Sequence, residues 1–404
     1  MRFRPVFVGT MALLAPLVSV NMRVAAQAAP RWVTICSVIG ADETAVSSCT
    51  GPTVPVGRGF TWKLPFDTQN NEFLYFGGLQ QSTTFYSHSL YGYSARTHAF
   101  TLRVQQTVPV GQGGGYDGCL DASYNPIVGH GLGFQWFDPV RRQWVTQGNL
   151  GCNYNAGFTS RYDAVAHQML PLLPTWMLSP QCDGTFDCGS VAFDSGGEYV
   201  PGYGRAILCC GDGSFSTRVI EFDPVTQMYT NVSQQLVGAD GVSCDVNIAW
   251  PGSVSPHCPV VFKGADLFGD GSILWVFGGG TSTLASNDIY QYEPAARRFT
   301  KIAPVGGIKP PPVHTMFPLA FLDSRRHRLV FYAGTNTLWQ YNFAANLWSP
   351  LIATGNGPLF DDVLMLHGDG NGCGYDSGVD IAVCVGYRSQ SVSPFVFELR
   401  LAGA

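Results

Sequence analysis

Five times along this chain an aromatic residue is followed, seven positions later, by a second one across a short turn-forming stretch. The copies are Tyr93 to Phe100 (YSARTHAF), Phe137 to Trp144 (FDPVRRQW), Phe222 to Tyr229 (FDPVTQMY), Tyr292 to Phe299 (YEPAARRF) and Tyr341 to Trp348 (YNFAANLW). A fixed internal spacing repeated along a chain is the mark of a repeat architecture, in which each unit buries its apolar face only by stacking on its neighbours.

Each copy has landmarks upstream. A β-branched or aromatic run ends in small residues, as in LYFGG (74–78), ILCCG (207–211), LWVFGG (274–279) and LVFYAG (329–334), with weaker versions at PIVGHG (126–131) and IAVCVG (381–386). Before these lies another apolar run, such as AVAHQMLPLL (164–173), PVVFKGADL (259–267) or TMFPLAFLD (315–323). One unit is therefore four short strands. Asp or Glu followed by Pro suits the turn between the last two strands. The glycines are expected where strands crowd near an axis. Four-stranded antiparallel units arranged radially make a β-propeller. With 404 residues and 46% hydrophobic content, the chain is long enough to build one.

The stretches ILWVFGGGTSTLASNDIYQYEPAARRFTKIAP (273–304) and HTMFPLAFLDSRRHRLVFYAGTNTLWQYNFAANLWSPL (314–351) resemble the kelch repeat, and the similarity extends over most of residues 57–400. The resemblance implies an all-β, kelch-like propeller of about six four-stranded blades. Their expected extents are 57–105, 106–150, 155–235, 240–304, 312–352 and 358–400. The last unit reaches its third strand at PFVFELRL (394–401), where the sequence stops. The segment RWVTICSVIG (31–40), with Trp32 at the aromatic position, is expected to close the ring as that blade's outermost strand. Residues 174–202 have no place in this scheme and read as a disulfide-pinned loop, or alternatively as a degenerate seventh blade.

Residues 1–28 have the features of a secretory signal. Arg2 and Arg4 are followed by an apolar run from Val6 to Val20 and a small-x-small site at Ala26-Gln27-Ala28. Cleavage there removes Arg2, Arg4 and Arg23, so 23 basic residues become 20 against 28 acidic ones, a net charge of −8. No later segment is apolar enough to span a bilayer. An acidic surface with lysine only at 63, 263, 301 and 309 argues against nucleic acid as a partner. The expectation is a single-domain, monomeric extracellular protein over residues 29–404.

The 12 cysteines all follow residue 28, and in an exported chain an even number reads as disulfides. Local pairing suggests Cys36–Cys49, Cys119–Cys152, Cys182–Cys188, Cys244–Cys258 and Cys373–Cys384. Cys209 and Cys210 remain. On a strand they point to opposite faces and a bond between them would strain the backbone, so their pairing, with each other or elsewhere, stays open. Asn231-Val232-Ser233 is the one N-glycosylation sequon.

Binding residues are sought in two places. The connections between second and third strands, LQQSTTFYSHS (79–89), GDGSFSTR (211–218), GTSTLASND (280–288) and YRSQSVSP (387–394), are polar with aromatic platforms on a rigid scaffold. They put forward Tyr86, His88 and Arg218. The residues leading into each innermost strand are expected to ring the axis: Arg58, Asp117, Arg161, His257, His314 and Asp361. Asp369, Asn371, Asp376 and Asp380, on the stretch HGDGNGCGYDSGVD, are spaced as oxygen ligands for calcium, although the pattern also suits a plain hairpin.

The leading functional expectation is non-catalytic recognition of a glycan or an extracellular protein, with no cofactor. The alternative comes from a kelch-type relationship with galactose oxidase and glyoxal oxidase, secreted copper-radical enzymes. That chemistry needs two histidines, an axial tyrosine and a Cys–Tyr thioether around copper. The eight histidines and 17 tyrosines allow it, but no Tyr-His dipeptide occurs.

Overall fold

The computed structural model describes residues 29–36, 63–76, 89–105, 135–148, 158–171, 196–210, 219–244, 264–279, 286–312, 319–332, 337–355, 372–386 and 395–401, with a few shorter stretches between them. Residues 1–28, and with them the expected signal, lie outside. Among the described residues there is no α-helix, so none long and apolar enough to cross a membrane.

Six four-stranded antiparallel meanders form the six blades of a propeller. From the innermost strand outward, blade 1 is Phe66–Asp67, Glu72–Phe76, Leu90–Ser94 and Ala99–Val104. Blade 2 is Gln135–Asp138, Gln143–Gly148, Phe158–Asp163 and Gln168–Met169. Blade 3 is Gly196–Val200, Arg205–Cys209, Val219–Asp223 and Met228–Asn231. Blade 4 is Ala265–Asp270, Ile273–Gly278, Ile289–Glu293 and Arg298–Lys301. Blade 5 is Ala320–Asp323, Arg328–Tyr332, Thr337–Asn342 and Leu347–Ile352. Blade 6 takes Gly372–Asp376, Ile381–Gly386 and Phe395–Arg400 from the C-terminal end and Arg31–Cys36 as its outermost strand. The ring thus closes as the sequence suggests, with Trp32 opposite Leu399 and Val33 opposite Glu398.

The seven-residue spacing has a simple geometric cause. In blade 1, Asp67 pairs with Glu72 around a four-residue loop, which makes Phe66 and Phe73, seven apart, the next cross-strand pair. The Asp67 Oδ1 accepts the backbone N–H groups of Gln69 and Asn70 at 2.7 and 3.1 Å, and Asn71 closes the loop with φ 56°. The same device recurs at Asp138 with Arg142 (57°), Asp163 with His167 (54°) and Asp223 with Gln227 (59°). It is an Asx-capped turn ending in a left-handed residue, a geometry that matches the twist of a hairpin.

This turn serves both hairpins of a blade, inner and outer, so the spacing does not say which hairpin a given copy makes. The Phe137–Trp144 copy was expected in an outer hairpin and instead forms the inner hairpin of blade 2. The outer hairpin follows at Tyr162 and Met169, a copy whose second aromatic is a methionine. The second and third units therefore shift: blade 2 runs from 135 rather than 106, and blade 3 starts at 196. The run 164–173, read as a first strand, is largely that outer hairpin. Residues 196–200, assigned to the unplaced loop, are the innermost strand of blade 3.

Each junction between neighbouring blades is filled by one apolar cluster. Leu74, Phe76 and Leu90 meet Phe137, Trp144 and Tyr162 between blades 1 and 2, with the Phe76 and Trp144 rings 4.6 Å apart. Phe268, Trp275 and Phe277 meet Phe331, Tyr341 and Trp348 between blades 4 and 5. Trp32, Tyr332 and Leu338 meet Tyr375 and Leu399 between blades 5 and 6. Aromatic pairs of this kind contribute roughly 0.5–1.5 kcal/mol beyond the area that they bury.

The glycines ending the second strand were expected to relieve crowding at the axis. Gly278 and Gly279 instead carry φ values of 75° and 85°, a backbone that side chains disfavour, as the chain turns off the strand. Crowding does apply at Gly269, on the innermost strand of blade 4. A Cβ there would lie 2.1 Å from the Tyr199 carbonyl oxygen of blade 3. Gly269→Ala should therefore destabilise the protein by about 1–3 kcal/mol in denaturant melts, because two innermost strands must separate. A melt that matches wild type would remove that explanation.

Cys244–Cys258 and Cys373–Cys384 are joined. Cys209 and Cys210, whose pairing the sequence left open, are joined to each other. Cys210 lies just beyond the strand with φ 70°, so the alternation of strand side chains does not apply to it. The proposed partners Cys49, Cys119, Cys152, Cys182 and Cys188 lie outside the described residues, as does the side chain of Cys36.

Candidate ligand-binding face and axial cluster

Strands alternate in direction, so one rim of the ring carries the tight hairpin turns. The other rim receives the connections between second and third strands, together with the linkers into the next innermost strand. Connections on this loop rim range from four residues (333–336) to thirty-three (232–264). Two small sheets are built on it. Arg58–Gly59 pairs with Leu79–Gln80, which pairs with Phe85–Tyr86, and Phe215–Ser216 pairs with Val261–Phe262. The first brings the backbones of Arg58 and Tyr86 into one sheet. The second lies two residues before Arg218.

Each small sheet leads directly into a charged residue at the axis. Four residues beyond Gly59 the chain reaches Lys63, and four beyond Phe262 it reaches Asp266. Lys63 belongs to the lead-in of blade 1, yet its ammonium donates to the Gly197 carbonyl and the Glu198 carboxylate of blade 3. It also donates to the Leu267 carbonyl of blade 4, at 3.3 Å. In a six-bladed ring those blades lie across from blade 1, so the side chain crosses the axis. Its own carbonyl accepts the Gln135 amide of blade 2 at 3.3 Å.

Lys63 keeps 11% of its side-chain surface and Glu198 25%. A pair this enclosed is kept only when its geometry offsets the loss of water, which the two extra carbonyl acceptors help to do. Burial pushes the Glu198 carboxyl up, and the Lys63 ammonium opposes that shift. Asp266 is 7% exposed, and burial pushes its carboxyl up to about 7 against the pull of Lys63. Its Oδ1 accepts the Leu267 N–H at 2.9 Å.

The axial residues expected from sequence fall elsewhere or outside the described residues. Arg161 sits on the third strand of blade 2, not at the axis, because the frame of that blade is shifted. Its guanidinium is mostly buried and donates to the Pro171 carbonyl at 3.1 Å. His257 is placed beyond blade 3, with Nδ1 2.8 Å from Asp240 Oδ2 beside the Cys244–Cys258 bond. His88, Asp117, Arg218, His314 and Asp361 lie outside the described residues. Of Tyr86 only the strand pairing is described.

The calcium-like spacing is partly used by the scaffold. Asp376 caps its turn through the Gly378 N–H at 2.7 Å. Asp380 takes Arg326 in two hydrogen bonds of 2.7 Å and the Tyr375 hydroxyl in a third. Asp369 and Asn371 lie outside the described residues. Among the described residues no three His, Cys, Asp or Glu side chains converge as a metal centre. In the sequon, Asn231 Oδ1 accepts the Ser233 N–H at 3.0 Å, and the buried Ser233 hydroxyl bonds Val219.

Sequence reasoning missed Lys63, Glu198 and Asp266. The available signal was a charge inside an apolar run, in FTWKLPF (60–66) and KGADLF (263–268), in a chain with few lysines. The chain matches no known family model and no curated protein.

Proposed function

We propose that the protein is a secreted, kelch-type recognition module that binds a glycan or an extracellular protein through its loop rim. The observation that carries this reading is the division of labour between the two rims. Most hairpins of the turn rim repeat one capped turn, whereas connections of very different length and polar, aromatic composition join the strands on the other rim. Rigid scaffolds that carry variable loops on one side are the usual basis of recognition surfaces. That inference is one from fold and surface, since propellers host many functions. The disulfides and the leader-like residues 1–28 support export.

A glycan array probed with the wild-type protein and a Tyr86→Ala/His88→Ala/Arg218→Ala triple variant tests the reading. Signal from the wild type that is lost in the variant is the expected result. Wild-type signal no higher than background would rule out the glycan and leave a protein ligand to be sought by cross-linking. Stoichiometric copper with oxygen-dependent peroxide release from the purified protein would replace the binding reading with an oxidase.

A further inference from the structure

We propose that the Cys209–Cys210 bond is a reducible lock on the loop rim. Closed, it holds Cys210 in the left-handed backbone through which blade 3 enters its connection on that rim. Opened by a dithiol, it frees the connection while the ring stays folded. Such a lock sets the shape of the rim whatever ligand binds there.

The place of Cys210 in the fold is unusual. Among the described residues nine other non-glycine residues have positive φ, and every one closes a hairpin turn. Cys210, at φ 70°, instead follows the end of a second strand. Its counterpart in blade 4 is Gly278. Cys209 pairs with Val219 as Phe277 pairs with Ile289, and Gly278 has φ 75°. Blade 4 meets this backbone demand with glycine, at no steric cost, whereas a residue with a side chain disfavours it. In blade 3 the covalent link to Cys209 supplies the constraint.

A bond between neighbours contributes little as a staple. Disulfides act largely by restricting the unfolded chain, and that effect shrinks with the loop they close. Cys244–Cys258 and Cys373–Cys384 span 14 and 11 positions, whereas Cys209–Cys210 spans 1. Opening it therefore leaves the ring folded. Free cysteines behave as small apolar groups, and both stay within the cluster that holds Val219, Val261 and Leu274. What changes is Cys210, which becomes free to leave the left-handed region. Only four residues separate it from Phe215–Ser216, whose partner Val261–Phe262 packs Val261 in the same cluster. That small sheet is the part of the rim placed to respond.

The step is a two-electron exchange. A thiolate of the dithiol attacks one sulfur of the pair, the S–S bond breaks, and a mixed disulfide forms. The second sulfur of the reagent then displaces the protein. Cys209 and Cys210 gain two electrons and two protons as thiols, and the dithiol leaves as a cyclic disulfide. Both cysteines are buried, so the exchange proceeds through local opening at the strand end.

Hydrogen exchange on the full mature chain, read in peptides covering Phe215–Ser216 and Val261–Phe262, tests the lock. Wild type treated with dithiothreitol should exchange there about fivefold to thirtyfold faster than the oxidised protein, as the left-handed penalty is no longer met by a bond. Alkylation should locate new thiols at Cys209 and Cys210 while the melting curve still reports a folded ring. Cys209→Ala/Cys210→Ala should exchange as fast with no reductant. Cys209→Ala/Cys210→Gly should stay close to oxidised wild type, because glycine takes the left-handed backbone without a bond. Alanine and glycine variants that exchange alike, at either rate, would overturn the proposal. So would a bond that dithiothreitol opens only as the whole ring unfolds. If the alanine variant does not fold, reduced wild type compared with the glycine variant decides the outcome.

Discussion

Removal of residues 29–36 should collapse the thermal stability of the protein, and Trp32→Ala alone should cost about 3–5 kcal/mol. Trp32 is 2% exposed, stands edge-on to Tyr332 with ring centroids 5.4 Å apart, and packs among residues of blades 5 and 6. The strand around it pairs with Phe395–Arg400 from Arg31 to Cys36. Its start is also tied to the end of blade 5, through Trp32 N–H to Thr354 O and Thr354 N–H to Pro30 O, both 2.8 Å. The deletion takes all of these at once and leaves Phe395–Arg400 as an open edge, which invites association between chains. Calorimetry and light scattering on the truncated protein should show a much lower, concentration-dependent transition. A truncated chain that melts like wild type would mean that the ring does not depend on this strand.

Arg326→Met should cost about 3–5 kcal/mol, for a different reason. The guanidinium joins two buried carboxylates at the junction of blades 5 and 6. It reaches Asp323, fully buried, at 3.1 Å and Asp380, nearly so, through two bonds of 2.7 Å. Arg328 also holds Asp323, at 2.8 Å, whereas the second cation at Asp380, the half-exposed Arg325, stands 3.6 Å away, so Asp380 is the group that depends more on Arg326. The Arg326 side chain holds the Asp380 carboxyl below its ordinary value. A depressed carboxyl stabilises the fold above its unfolded value and loses that contribution as pH falls through its folded value. The gap between wild type and Arg326→Met should therefore be widest near neutral pH and narrow below about pH 4. Adding Asp380→Asn to Arg326→Met should recover part of the loss. A gap that does not change with pH would show that the side chain acts by packing alone.

Local signals in the sequence were enough for the blade and for its closure. The Asx-capped turn is written in consecutive residues, so Phe222–Tyr229 and Tyr341–Trp348 could be placed from spacing alone. The vacancy beyond Phe397 pointed to Trp32. The same turn misled at Phe137–Trp144, because inner and outer hairpins use one geometry. The clue to the true outer hairpin was a methionine, Met169, at an aromatic position. The axial cluster was out of reach for another reason. Lys63 meets Glu198 and Leu267 across 135 and 204 positions of chain, and no local pattern records a meeting at the centre of a ring. The vicinal pairing of Cys209 with Cys210 was hidden because it turns on the φ of one residue just past a strand end.

The strand Arg31–Cys36 precedes the first five blades along the chain, and its partner Phe395–Arg400 follows them. During synthesis that strand must wait, unpaired, while five blades and most of a sixth assemble behind it. Closure is then the contact with the longest loop to order, and contacts of that kind form slowly. The ring therefore works as a check on completeness: a chain cut short before residue 395 has nothing for its first strand to join.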